Sequence, residues 1–378
     1  MLIPGSFTLK YLLKFPGRNW WLSLLFWMLI IAPAQAATEL RVAIKDGVNK
    51  LVIGSSTSAI VKDATGRQVG QIGAMNAYNA QTFSGGMSLG TWRSNQLWIE
   101  PTGDGYIWIG DRWYRGKTRL IKNGNGITAI NYVDLEEYLY SVVGAEMVPS
   151  WHQEALKTQA VAARTYALYK SKESKSPLFD LDTTTATQVY KGLETETYST
   201  HQAVNDTTGK IMTHNGQVIL AVFHSSSGGH TENVEDIWSS PLPYLRGVVD
   251  YDQNAPVFRW DKTISASEVT RHIGGVGTIS SLVPEKRTPR GRVKIVKVVG
   301  SRGTKRMKGS VMRKALGLRS TLFYVSRQGG NFRISGRGFG HGVGMSQWGA
   351  QGMAQNGATH EQILRHYYRS ANISQLNR

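Results

Sequence analysis

Glu146 stands in a short apolar joint, with Met147, Val148 and Trp151 around it, between two stretches of helical periodicity. A carboxyl held against apolar side chains is pushed toward its protonated form and becomes a proton donor near neutral pH. At the N-terminus of a helix the same acid would instead serve the helix dipole. Lys157 and Arg164, seven residues apart, project from one face of the second helical stretch. Cations so placed are commonly only solvated, and it is their position just after Glu146 that singles them out. His224 and His230 bracket a His-Ser-Ser-Ser-Gly-Gly-His run. Serine hydrolysis would need a nucleophile elbow of the Gly-x-Ser-x-Gly type, which is absent. Zinc would need a third ligand, Glu232 or a distant histidine, because the five-residue gap fits no zincin pattern and the chain has no cysteine. The expectation is therefore no metal and no cofactor, with a hydrogen-bonding, substrate-lining or structural role for the histidines and zinc as the alternative. Alternating glycines from Gly336 to Gly344 lack the strand–helix context of a dinucleotide site and predict a loop whose backbone closely approaches His341 or a ligand.

The elements that must position these residues are of two kinds. From Arg41 to Tyr132 the pattern has period two and is cut by glycine turns, which predicts hairpins. At Asp134 the period changes, with Leu135, Tyr138, Leu139, Val142 and Val143 at helical spacing and Gly144 read as a left-handed cap. Ser150 and Gln153 read as the capping box of a second helix from Trp151 to about Lys172, where Leu156, Ala160, Ala163 and Ala167 share a narrow face that another element can approach closely. Strands and loops follow from Asp182 to Asp252, Val293–Val299 alternates as a strand, and two short helices end the chain, the second capped by Thr359 and Gln362. The fold class is α+β, with a β-rich N-terminal part over residues 37–130 and helices packed on strands over 131–378.

The 378 residues include 44 Lys and Arg against 26 Asp and Glu, a formal charge of +18, with 41% hydrophobic residues. Disorder and disulfide scaffolds are excluded, and thiol chemistry is impossible. Lys10, Lys14 and Arg18 precede an apolar run from Trp20 to Ala32, and Ala34-Gln35-Ala36 supplies a processing site, so residues 1–36 read as a cleaved signal peptide. Retention as a membrane anchor is the alternative, and membrane contact is expected only through that segment. An exported chain, in periplasm or cell wall, has no genomic DNA or RNA to bind, whereas an anionic envelope suits its charge.

Several blocks resemble one family. Tyr138–Met147, Trp151, Glu154–Ala167, Gln188-Val189-Tyr190-Lys191-Gly192, Phe223–Glu232, Pro243-Tyr244-Leu245 and Gly338–Ala350 follow one another as in the SpoIID/LytB family. Members of that family include lytic transglycosylases of peptidoglycan and enhancers of a cell-wall amidase. The resemblance implies that Glu146 is the general acid and base, cleaving glycan strands to 1,6-anhydromuramyl products. It implies further that Lys157 and Arg164 hold the strand and tune Glu146, and that Tyr190, His224, His341 and Gln347 line the groove. Some sporulation members carry a metal at the histidine block through histidine and cysteine, and here the cysteines are missing. The competing functions are a non-catalytic glycan-binding enhancer of an amidase and an envelope scaffold that binds anionic polymer. Of the tryptophans, Trp92, Trp98, Trp108, Trp113, Trp151, Trp238, Trp260 and Trp348 lie beyond the signal, and most are expected in the core.

Overall fold

The computed structural model describes residues 38–183, 187–238 and 240–376. The expected signal segment lies outside the described residues. Within them the fold is α+β, as the two periodicities require.

The β-rich part forms two sheets. One has seven strands, and an interior strand, Gly126–Asp134, pairs with Glu39–Val48 on one side and Lys117–Asn123 on the other. That interior strand is buried along nearly its whole length, because both its faces are covered. The other sheet has six strands and is organised around Lys50–Ser55, which pairs with Ala77–Phe83 and Ile107–Ile109.

Asp134 ends the Gly126–Asp134 strand and starts the first helix, α1 (Leu135–Glu146), by accepting the amides of Glu136 at 2.8 Å and Glu137 at 3.4 Å. Gly144 is not a left-handed cap. It keeps helical backbone, and its missing Cβ makes room for the Thr195 carbonyl oxygen, which lies 1.9 Å from where that atom would sit. The helix therefore runs two residues further, and Glu146 is its last residue. The second helix, α2 (Gln153–Glu173), is capped by His152, whose Nδ1 accepts the Glu154 amide, and not by Ser150. Leu156, Ala160, Ala163 and Ala167 are all fully buried, and the small face admits the neighbouring helices. A short helix that the loop reading overlooked, α3 (Tyr198–Asn205), has a reciprocal capping box between Thr197 and Thr200. The four-residue α4 (Val234–Ile237) precedes Trp238. At the C-terminal end come α7 (Gln347–Gln355) and α8 (His360–Tyr367), the latter with the expected Thr359–Gln362 box.

Between α4 and α7 lies a segment with a core of its own. Two three-stranded sheets, centred on Asn331–Arg337 and Val293–Gly300, enclose Trp260, Val269, Val296, Met312, Phe323 and Ile334 with α5 (Ala266–Ile273) and α6 (Gly309–Ala315). The larger core is shared by the β-rich part and the helices, from Leu40 and Ile53 through Leu139 and Leu156 to Leu364. Among the described residues, no helix is long and apolar enough to cross a membrane.

Candidate active site

Two distant pieces of chain meet at the end of α1. Phe223–His224 pairs in parallel with Met345–Ser346, and Ser346 then caps α7 through its hydroxyl, which accepts the Gly349 amide. The joint between α1 and α2 docks on α7: Trp151 packs edge-on against Trp348 at 4.6 Å, and the His152 amide donates to Gln351 Oε1 at 3.0 Å. Gln347, the first residue of α7, thereby faces Glu146, and its Nε2 donates to Glu146 Oε2 at 3.3 Å.

The other carboxylate oxygen is held by a strap. Val189 donates its amide to Glu146 Oε1 at 3.1 Å. The strap is fixed on both flanks, because Gln188 donates to the Ala163 carbonyl and accepts from Tyr138, while Lys191 donates its amide to Ser141 Oγ. Tyr190 turns inward instead, its hydroxyl on Asn131 Oδ1 at 2.9 Å and its ring between Tyr114 and Tyr138. Gly192 makes the closing bend at φ +63°, where a Cβ would stand 2.0 Å from the Trp113 carbonyl oxygen.

Glu146 faces a cleft of about 320 Å³ whose other walls include Tyr166, Val189, Val222, Phe223, Trp238 and His341. Burial among these groups holds its carboxyl above the ordinary glutamate range, against the two hydrogen bonds from Val189 and Gln347 that favour the ionised form. Its place at the C-terminal, negative end of α1 acts in the same direction as burial. Trp238, 45% exposed, stands at the mouth with its ring 5.2 Å from that of His341. His341 accepts the Val343 amide on Nδ1, so its proton sits on Nε2 and is donated to the Phe223 carbonyl at 2.9 Å. Both nitrogens are thus occupied, and burial lowers its pKa to about 4. His341 is a neutral wall of the cleft and has no lone pair left for proton transfer.

A family model described as stage II sporulation protein matches residues 123–214, and a model of a domain of unknown function matches residues 244–344. An uncharacterized protein of Brachyspira hyodysenteriae is 35% identical over 285 residues, spanning 74% of this chain and 77% of the relative. Stage II sporulation protein D of Bacillus subtilis is 37% identical over 269 residues, 66% of this chain and 77% of the relative. The chain belongs to the SpoIID family. The amidase enhancer of Bacillus subtilis is 31% identical over 285 residues, 61% of this chain and 39% of that protein. The match to the SpoIID model contains α1, α2 and the strap, whereas Gln347 reaches Glu146 from outside it.

Not every residue singled out in this SpoIID-family sequence reaches the cleft. Arg164 is fully buried, with Nε at 3.0 Å and Nη2 at 2.5 Å from the Glu136 carboxylate and Nη1 donating to the Lys210 carbonyl. Glu136 also accepts the Gly209 amide. The guanidinium therefore locks α2 to α1 and to the turn before Lys210–His214, and it has no surface to offer a glycan. Lys157 is spoken for as well, by Glu154 at 3.2 Å and Asp206 at 3.0 Å. Tyr190 supports the strap without lining the cleft. His224 is buried behind His341 at 5.0 Å between rings, donating from Nδ1 to the Val343 carbonyl, and burial keeps it neutral.

The zinc alternative does not fit this donor set. His230 directs Nδ1 to the Thr231 carbonyl and lines a different cavity, and no three His, Cys, Asp or Glu side chains converge as a metal site among the described residues. The serines between the histidines are structural: Ser226 and Ser227 are fully buried and donate to Asp252 and Asp250, each at 2.5 Å. Sequence reading missed Val189 and Trp238. A tryptophan set between Asp236 and Ser240, in polar surroundings, was the available signal for the second.

Proposed function

We propose that the protein is an exported, envelope-located lytic transglycosylase that cleaves the glycan strands of peptidoglycan without metal or cofactor. Protonated Glu146 gives its proton to the glycosidic oxygen as the bond to C1 of the muramyl sugar breaks. The resulting carboxylate takes the proton of the C6 hydroxyl as O6 bonds to C1, and Glu146 is returned to its acid form. One carboxyl suffices because the sugar supplies its own nucleophile, whereas hydrolysis calls for a second carboxylate to manage water. The observation that carries this reading is that Glu146 is the only carboxylate among the described residues lining the cleft, with its pKa raised by burial. Val189 and Gln347 steady the ionised form between the two proton transfers.

The likeness to an amidase enhancer supports a second reading, a glycan-binding protein that stimulates a cell-wall amidase. One experiment separates the two. Purified glycan strands are incubated with the protein or with Glu146→Gln, and anhydromuramyl ends are measured by mass spectrometry. Loss of about 10²–10⁴-fold in the variant, with glycan binding retained, is expected of a sole acid–base group. Wild-type rates in the variant would sink the assignment. If neither form cleaves and both stimulate an amidase, the second reading holds.

A further inference from the structure

Among the described residues, the net positive charge is gathered in one part of the chain. Residues 259–337 contain 19 Lys and Arg but only 3 Asp and Glu, a net +16, whereas residues 38–258 and 338–376 together contain 21 basic and 23 acidic side chains. This is the segment with its own core. Its three acids are already engaged, Asp261 by Arg333, Glu285 by Arg306 and Glu268 by His272. Among the described residues, the only other cation of the segment within ion-pair reach of a carboxylate is buried Arg292, 3.8 Å from Glu232. Arg259 and Arg337 stand directly opposite each other on an antiparallel pair, an arrangement that costs stability unless an anion screens it. Arg290, Arg337 and His230 line a cavity of about 470 Å³ with no carboxylate in its walls. Solubility would not require the charge to be gathered into one module while the remainder is close to neutral.

We propose that residues 259–337 form a docking module for a linear phosphodiester polymer of the cell envelope, a partner that rests on the envelope location argued above. The distribution of charge favours a flexible polymer over a bilayer. Lys305 and Arg306 are consecutive on a regularly paired strand and point to opposite faces. Arg271 on α5 and Arg313 and Lys314 on α6 extend the charge around the module. A flat membrane meets one face, whereas a polymer with one fixed negative charge per repeat can follow the cations around. Stem peptides offer less, because free amines offset their carboxylates. The module is coupled to the cleft, since Arg337 leads directly into the loop bearing His341 and Arg292 Nη2 donates to the Ser227 carbonyl at 2.6 Å. A docked polymer therefore holds the Glu146 cleft against the wall that carries it.

The test uses the whole exported chain and soluble poly(glycerol phosphate), with binding followed by fluorescence anisotropy. If about six phosphates are neutralised, affinity falls about 300-fold between about 50 and about 200 mM salt. Replacing Arg259, Arg290, Arg337 and Arg319, which lines a second cavity with Arg259, together by Gln should reduce the slope of log affinity against log salt by about 3, while the same four changes to Lys retain it. No binding at low salt, or an unchanged slope in the Gln variant, overturns the proposal. Tighter binding per phosphate to phosphatidylglycerol vesicles or to duplex DNA overturns it in favour of a membrane or a nucleic acid. Glu146→Gln should bind the polymer normally. Cleavage of phosphate-free glycan without polymer binding would remove the docking role alone, and polymer binding without cleavage would remove the catalytic role alone.

Discussion

Replacing Arg164 by Met should unfold the protein more readily without touching the cleft. The side chain is fully buried, and its guanidinium meets both oxygens of Glu136 and the carbonyl of Lys210. Methionine fills similar volume but leaves Glu136 charged in the interior, with the Gly209 amide as its remaining donor among the contacts described above. Breaking a buried pair from one side costs about 3–5 kcal/mol. For a chain of this size that corresponds to a fall in melting temperature of roughly 4–7 °C. Lys157→Gln is the control, because its ion pairs with Glu154 and Asp206 are partly solvated and are worth at most about 1 kcal/mol. The double variant Arg164→Met with Glu136→Leu should recover much of the loss, since it leaves no unpaired charge. Urea denaturation followed by circular dichroism measures all four proteins. Wild-type stability in Arg164→Met combined with abolished glycan cleavage would refute the structural role and return Arg164 to the substrate.

Removing the Gln347 donor by Gln347→Ala should raise the Glu146 pKa further, moving the alkaline limb of the pH–rate profile upward while lowering the maximal rate; an unshifted limb would deny the hydrogen bond a role. Trp238→Ala should weaken glycan binding by about tenfold with a smaller effect on turnover, as read by separate binding and rate measurements. Gly342→Ala forces a Cβ to 2.2 Å from the Arg292 guanidinium carbon at φ +82°, so a loss of at least about 2 kcal/mol is expected in the same denaturation assay. His341 is depressed to about 4, so the unfolded chain takes up its proton near 6.5 while the folded chain does not. Stability present above pH 6.5 should then be lost as pH falls toward 4, by up to about 1.4 kcal/mol per unit, and His341→Gln should flatten that slope.

The alternation from Arg41 to Tyr132 and the change of period at Asp134 were legible, because each follows from side chains alternating or recurring on one face. Ends of elements were less so. Gly144 looked like a cap because glycine commonly occupies left-handed backbone, yet here it answers a contact with Thr195 that only the tertiary fold creates. Glu146 and Gln347 were both singled out in the sequence, 201 positions apart, and the structure brings them together. Arg164 was misplaced for an instructive reason: helical spacing tells which residues share a face but not whether that face looks outward. Its partner Glu136 precedes it by 28 positions on another helix. The concentration of charge was countable in the sequence, but it became a module only once the second core separated residues 259–337 from the remainder.

The bond from Gln347 to Glu146 closes a loop of 201 positions. Contacts of such separation form late in folding, since the chain entropy of closing them must be overcome before they return anything. Until α7 has docked, Glu146 lacks its Gln347 donor, and the joint between α1 and α2 lacks the Trp348 and Gln351 contacts that fix it. A chain in which α7 has not docked therefore lacks a completed site. On the proposed function, glycan cleavage is then expected only once the C-terminal part of the chain has been made and has docked.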